Sequence, residues 1–209
     1  AYFEVSTRLL SKAAGVLGKQ ADQAKYHQLA DKIRDAYIKE FIKPDGTVTI
    51  YTDRQAPYVR SLAFNLYTED LRSKLEKQLI QRVEEKDRHL FTGFLSTPFL
   101  LPVLSEAGET ELAYEVLLQE DNPSWLYAIN KGATTIWEDW EGISEEGVPT
   151  ASQNHYSKGA VASWFFEYIC GIQLDPEIPA YKHFYLHPEP GGGLTSARAV
   201  YRSIYGEIL

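Results

Sequence analysis

The feature that most constrains the fold of this chain is a change of pattern near residue 174. Up to that point, apolar residues recur at helical spacing between segments punctuated by Gly, Pro, Asp and Thr. From Leu174 onward, prolines, a glycine triplet and two alternating runs, 181–187 and 195–202, replace that spacing. The sequence therefore predicts a helical region over 1–174 and a β region over 175–209, opened by a hairpin made of the two runs.

The helical region is predicted to consist of successive helix pairs. One apolar stripe precedes Gly18 and a second ends at Phe41, which indicates an antiparallel pair with a short connection. The two stripes are Leu10, Ala13, Ala14 and Leu17, then Tyr26, Leu29, Ile33 and Tyr37. An Asp-Gly turn followed by β-branched residues predicts a small β excursion over 43–52.

Further helices are expected at 57–66, 69–85, 97–107, 110–119 and 124–130, and a buried helix at 154–171. The last should end in a glycine cap at Gly171. The chain contains no repeat of fixed period. Paired helices followed by a β segment are typical of a helical toroid or solenoid with a β module attached.

Composition argues against several classes of partner and site. The net charge of −8, without a long Lys/Arg run, repels phosphate backbones and provides no polybasic membrane patch. A single cysteine cannot make a thiolate site and the chain has no HExxH motif, so no bound metal is expected. There is no GxSxG motif, and the glycine triplet at 191–193 precedes no helical pattern, so neither a serine-hydrolase elbow nor a phosphate loop is expected. We therefore expect no cofactor.

The segment "GATTIWEDWEG" (132–142) is the strongest candidate for a functional motif. Glu138 lies between Trp137 and Trp140, whose indole rings could partly desolvate a carboxylate and pack against the C–H face of a sugar. Hydrolysis of a glycosidic bond needs one carboxylic acid and one carboxylate. Judged from these residues alone, the segment is either a sugar site or the aromatic rim of a helical core.

His155, in "QNHYSKG", is a second candidate. It follows Glu138 by 17 residues, across a polar, acidic segment of the kind on which binding sites are often built. At the start of the predicted long helix, its imidazole could form hydrogen bonds with sugar hydroxyls at the edge of the same cavity. A surface histidine at a helix terminus is the alternative interpretation.

Several segments in order resemble the α-L-rhamnosidases of glycoside hydrolase family 78. The resemblance rests on "GATTIWEDWEG", "NHYSKGAVASWFFEYICGI" and the segment that follows it up to "YRSIYGEI". Upstream, "TGFLSTPFLLPVLSE" and "AYFEVSTRLLSKAAGVLGKQAD" are similar to the same family in the same order. The resemblance covers nearly the whole chain. It implies a partial (α/α)6 toroid followed by the start of a C-terminal β-sandwich.

The resemblance also implies roles for particular residues. In an inverting, metal-independent mechanism, Glu138 would be the general base and His155 would contact the bound rhamnose. Trp137 and Trp140 would form the wall of the pocket, and Trp125 of "PSWLY" could contribute to it. The family's general acid lies in an acidic motif upstream of the segments that match here, so we expect this chain to supply the base and not the acid.

The residues themselves do not identify the sugar, which rests on the resemblance. A toroid that binds a carbohydrate without cleaving it, or a toroidal glycosidase with another sugar specificity, remain as alternatives. The chain opens in a helical pattern at Ala1 and ends in a strand pattern at Leu209, and we therefore expect it to be part of a longer protein. The sequence indicates no oligomeric state.

Overall fold

The computed structural model describes residues 1–209, which form two compact units, 1–83 and 84–209. Helices account for most of the regular structure, so the predicted mainly α architecture is confirmed. None of the helices has both the length and the apolar character needed to span a membrane.

The first unit is built from four helices. They are α1 (Tyr2–Val16), α2 (Gln20–Phe41), α3 (Gln55–Ala63) and α4 (Glu69–Glu84), the last of which ends at the division between the units. The predicted antiparallel pair of α1 and α2 is confirmed. The apolar stripe of α4 is buried, as its four-residue spacing requires, and consists of Leu71, Leu75, Leu79 and Val83.

Helix α1 does not bury the apolar stripe that its sequence predicts. Leu10 is 48% exposed and Leu17 is 71% exposed. The buried face instead carries Glu4, Thr7, Ser11 and Ala14. Polar contacts to α2 explain this orientation, because the Ser11 hydroxyl donates to the Gln23 carbonyl at 2.8 Å and Arg8 pairs with both Glu4 and Asp31. Of the stripe Leu10, Ala13, Ala14 and Leu17, Ala14 alone is buried.

The predicted β excursion after α2 is present as a single antiparallel bridge between Ile42 and Val48. Gly46 has a φ of 83°, which supports the tight turn, and the Asp45 carboxylate accepts the Thr47 amide at 2.9 Å. Lys74 of α4 donates to the Pro44 carbonyl at 2.7 Å. These contacts hold the excursion against α4.

The second unit contains three further α-helices before its candidate site. They are α5 (Thr97–Glu106), α6 (Thr110–Leu117) and α7 (Trp125–Asn130). The Ser124 side chain caps α7 by accepting the Tyr127 amide at 3.0 Å. The long helix predicted at 154–171 begins later, as a 3-10 turn (Ser157–Ala160), and continues through α8 (Val161–Trp164) into a π-helical turn (Phe165–Ile169).

This composite helix buries one face only, so the prediction of a fully buried helix was wrong. Trp164 and Tyr168 are buried, whereas Phe165 and Phe166 are each 38% exposed. The Trp164 indole donates to the Ser105 hydroxyl at 3.0 Å, which satisfies its N–H inside the core. The predicted glycine cap is confirmed, since Gly171 has a φ of 74°.

Two small antiparallel hairpins complete the second unit. Strand β1 (Ile172–Leu174) pairs with β2 (Phe184–Leu186), and β3 (Tyr201–Ser203) pairs with β4 (Gly206–Ile208). The predicted hairpin between the two alternating runs was wrong, because the runs do not pair with each other. The first run pairs back onto the segment after Gly171, and the end of the second pairs with the segment that follows it, 206–208. The predicted domain boundary at 174/175 stays a prediction.

Candidate active site

The segment 136–155, which the sequence predicts as a polar loop, folds into an irregular hairpin. The Glu138 amide donates to the Ser152 carbonyl at 2.9 Å, and the His155 amide donates to the Ile136 carbonyl at 2.7 Å. Nearer the tip, Ile143 bridges Pro149. These backbone contacts bring the two motifs, "WEDW" and "NHY", side by side.

Glu138 is half-buried, and its carboxylate is fixed from the opposite side of the hairpin. The Ser152 amide donates to Oε2 of Glu138 at 3.3 Å. Oε1 receives no hydrogen bond from the protein. A carboxylate held through one oxygen keeps its orientation while the other oxygen stays available to accept a proton, as a general base requires.

His155 lies two residues before the 3-10 turn rather than inside a helix. Its Nδ1 accepts the Ser157 amide at 3.4 Å. The predicted place of His155 at the start of a helix beginning at 154 was wrong, because the helical structure begins at Ser157. The imidazole stacks on Tyr156 at a centroid distance of 5.5 Å and meets the Phe94 ring edge-on at 5.8 Å. Phe94, from the segment before α5, was not predicted as a neighbour of this site.

The three tryptophans assigned to the pocket wall lie close together. Trp125 and Trp140 pack edge to face at a centroid distance of 5.4 Å, and Trp125 and Trp137 are both buried. Gly142 packs directly against the indole ring of Trp137, so a Cβ added at this position would overlap the ring. Its φ of 63° is also one that glycine adopts without strain.

The tryptophans line a cavity of about 490 Å³ with mainly apolar walls. The remaining wall comes from helices α6, α7 and α8, from the segment 133–139 and from the π-helical turn, with Leu117, Ile129 and Phe165 among its residues. Glu138 and His155 lie on the hairpin beside this cavity and do not line it. Of the three carboxylates in "WEDWEG", Asp139 is the one that does, and Glu141 is exposed.

Lys158 is the residue of this region that the sequence predictions missed. Its side chain is buried, and its Nζ lies 3.8 Å from the centroid of the Trp140 ring. Burial lowers the pKa of Lys158 to about 8, although the nearby carboxylates of Asp139 and Glu138 act to raise it. The feature of the sequence that could have identified Lys158 is that it is the only charged residue between Tyr156 and Phe166.

Comparison with known proteins identifies the family. The family model described as bacterial alpha-L-rhamnosidase 6 hairpin glycosidase domain matches residues 1–169. The one described as bacterial alpha-L-rhamnosidase C-terminal domain matches residues 171–209. Two curated relatives, each called alpha-L-rhamnosidase, are 42% identical over all of this chain; they come from Formosa agariphila and Streptomyces avermitilis.

Solved structures agree with this match. The Streptomyces avermitilis alpha-L-rhamnosidase complexed with L-rhamnose superposes with a TM-score of 0.90 at 41% identity, over 99% of this chain and 20% of its own. The native enzyme from Aspergillus terreus gives a TM-score of 0.90 at 29% identity, over 99% of this chain and 24% of its own. The chain covers 23% and 20% of the length of the two curated relatives.

Proposed function

The chain belongs to the bacterial α-L-rhamnosidase family, and from this premise we propose that it works as part of an enzyme that releases terminal α-L-rhamnose from glycosides or polysaccharides. The observation that carries the proposal is the backbone pairing of 136–138 with 152–155, which places the segment that carries Glu138 beside the segment that carries His155. The relatives' names and the rhamnose complex of one of them support the choice of sugar.

In the proposed mechanism, Glu138 is the general base. Its Oε1 takes a proton from a water molecule, whose oxygen attacks the anomeric carbon as the glycosidic bond breaks on the opposite face of the sugar. The hydrogen bond from Ser152 to Oε2 holds the carboxylate during this transfer. Attack from the face opposite the leaving group inverts the anomeric configuration.

The remaining site residues bind the sugar. We assign His155 to hydrogen bonding with rhamnose hydroxyls. Its ring is oriented by stacking on Tyr156 and by an edge-to-face contact with Phe94. Trp125, Trp137 and Trp140 provide apolar faces beside the base, against which the C–H face and methyl group of a deoxy sugar can pack.

The mechanism needs a general acid opposite Glu138 to protonate the departing oxygen, and we assign that acid to a part of the enzyme other than this chain. The chain's share of about a fifth of its relatives' length is consistent with this division. We place the boundary between the catalytic region and a β-sandwich near 174/175, and we assign no metal to the reaction.

The test is hydrolysis of an aryl α-L-rhamnoside by the full-length protein, followed by NMR at short times. The proposal expects β-L-rhamnose as the first product, before mutarotation. Initial release of α-L-rhamnose would contradict the inverting mechanism while leaving the substrate assignment in place. Rhamnose binding without any hydrolysis would instead favour a carbohydrate-binding toroid, and cleavage of other glycosides in preference would indicate a different sugar specificity.

A further inference from the structure

Lys158 connects the two motifs of the candidate site through contacts that the proposed mechanism does not use. Its carbonyl accepts the Trp125 indole N–H at 3.0 Å, and its ammonium lies 3.8 Å from the Trp140 centroid. Trp125 and Trp140 in turn pack against each other. One residue of the "NHYSKG" motif therefore holds both tryptophans that flank the cavity.

Burial makes this arrangement unusual. Lys158 is only 4% exposed, whereas lysine is rarely buried unless a compensating charge is near. The cavity wall around it is apolar on α7 and α8, where Leu126, Ile129 and Val161 face it. The carboxylates that attract the ammonium are those of Asp139 and Glu138, both on the "WEDW" segment.

The attraction to these carboxylates acts without a direct ion pair, so the closest partner of the ammonium is the face of Trp140. A cation over an indole face is stabilised by the ring quadrupole, and more strongly where water is excluded. Trp140 follows Glu138 by two residues in a segment without regular secondary structure. Holding its ring therefore restricts the backbone that carries Glu138.

We propose that Lys158 is a positioning residue for Glu138: its buried ammonium, seated on Trp140, holds the "WEDW" segment in the arrangement that proton transfer to Glu138 needs. This inference rests on the proposed function. It assigns Lys158 no contact with the substrate. Loss of the positive charge should then lower the rate of the chemical step, with little effect on the binding of rhamnose.

The pH dependence provides a specific signature. Because the pKa of Lys158 is lowered to about 8, the ammonium loses its charge as the pH rises through that value, and activity should fall with it. Lys158→Arg keeps the charge, so the fall should move to higher pH. Asp139 raises the pKa of Lys158, so Asp139→Asn should move the fall to lower pH.

The experiment compares wild type, Lys158→Met, Lys158→Arg and Asp139→Asn in the full-length protein, using an aryl α-L-rhamnoside from pH 5 to 10. Lys158→Met should lower kcat about tenfold to a hundredfold at pH 6, with KM within about threefold of wild type. Lys158→Arg should recover most of this loss. Lys131→Met is the matched control, since Lys131 is exposed and lies 5.5 Å from the Tyr127 ring centroid.

A second readout needs no turnover. Tryptophan emission should change near pH 8 in wild type, as Lys158 over Trp140 loses its proton, and this step should be absent in Lys158→Met. Wild-type kcat and an unchanged alkaline fall in a folded Lys158→Met protein would overturn this inference alone. The inference is also overturned if Lys158→Arg does not recover the kcat lost in Lys158→Met and the emission step is still present in Lys158→Met. Absence of rhamnoside hydrolysis by wild type would overturn both this inference and the proposed function.

Discussion

Glu138 and Ser152 are joined by two reciprocal hydrogen bonds across the hairpin. The Glu138 amide donates to the Ser152 carbonyl at 2.9 Å, and the Ser152 amide donates to the Glu138 carboxylate at 3.3 Å. The side chain is thus held by backbone from the opposite strand. A side chain that retains one acceptor oxygen can keep this contact, so the charge of Glu138 can be removed without removing its anchor.

The first prediction follows from that anchor. Glu138→Gln in the full-length protein should lower kcat by at least ~10²–10⁴-fold, because an amide cannot take a proton from water. L-rhamnose should still bind with an affinity close to that of wild type, as measured by calorimetry. Added azide should restore some turnover, since it attacks without losing a proton.

Neighbouring carboxylates provide the controls for this variant. Glu141→Gln removes an exposed carboxylate, and Asp139→Asn removes the one that lines the cavity. Both should keep most of the wild-type kcat at pH 6. If Asp139→Asn or Glu141→Gln is inactive while Glu138→Gln is active, Glu138 is not the general base.

The second prediction concerns Gly142, whose missing side chain makes room for Trp137. Gly142→Ala places a methyl group inside the indole ring at a φ of 63°. The backbone strain should cost about 1–2 kcal/mol of unfolding free energy, and the overpacking about 1–3 kcal/mol more. Denaturant unfolding measures the loss. Catalytic activity should fall as well, since Trp137 precedes Glu138 directly.

Gly147 offers a matched comparison at the tip of the same hairpin. Its φ is 79°, but an added Cβ meets no atom within 4 Å. Gly147→Ala should therefore cost only the strain of a left-handed alanine, about 1–2 kcal/mol. Equal losses for the two variants would show that Trp137 can move aside.

The third prediction uses Glu167, whose pKa is raised by burial and by the nearby Glu106 carboxylate. Above pH 4.5, the ordinary pKa of a glutamate, the unfolded state releases a proton that the folded state still holds. This residue therefore lowers the free energy of unfolding as the pH rises above that value. Glu167→Gln should raise Tm at pH 7 and have little effect near pH 4. Exposed Glu145 is the control, and Glu145→Gln should follow wild type at both pH values.

Thermal melts between pH 4 and 8 decide this point. The difference in Tm between Glu167→Gln and wild type should grow with pH and then level off. A constant difference would mean that the amide acts through packing rather than through charge.

The fourth prediction concerns the outward face of α1, which is apolar. Phe3, Leu9 and Val16 are 64%, 59% and 89% exposed. Apolar surface of this kind promotes association in water, so the 209-residue chain on its own should self-associate in sedimentation velocity experiments. Leu9→Lys together with Val16→Lys should reduce the association.

Ser6→Lys adds the same charge at an exposed polar position of α1 and should change the association less. A wild-type chain that stays monomeric over a wide range of concentration would contradict the prediction. So would a reduction by Ser6→Lys as large as that of the double variant.

Much of the local structure was determined by the sequence itself. The helix predicted at 69–85, the Asp45-Gly46 turn and the cap at Gly171 all formed as predicted. Each depends on contacts between residues close in the chain, where side-chain period and backbone preference act directly. The residues around Glu138 alone left two interpretations open, a sugar site or the aromatic rim of a helical core, and the resemblance of several segments in order favoured the first.

The tertiary structure alone decided which faces and segments meet. Leu10 and Leu17 lie outward because α1 contacts α2 through polar side chains, and the strand run at 181–187 pairs with the segment after Gly171 instead of with the next run. Lys158 lies over Trp140 only because the hairpin closes. Periodicity shows that a residue can be buried, but its partner is selected by the total free energy of packing distant segments together, which no local pattern contains.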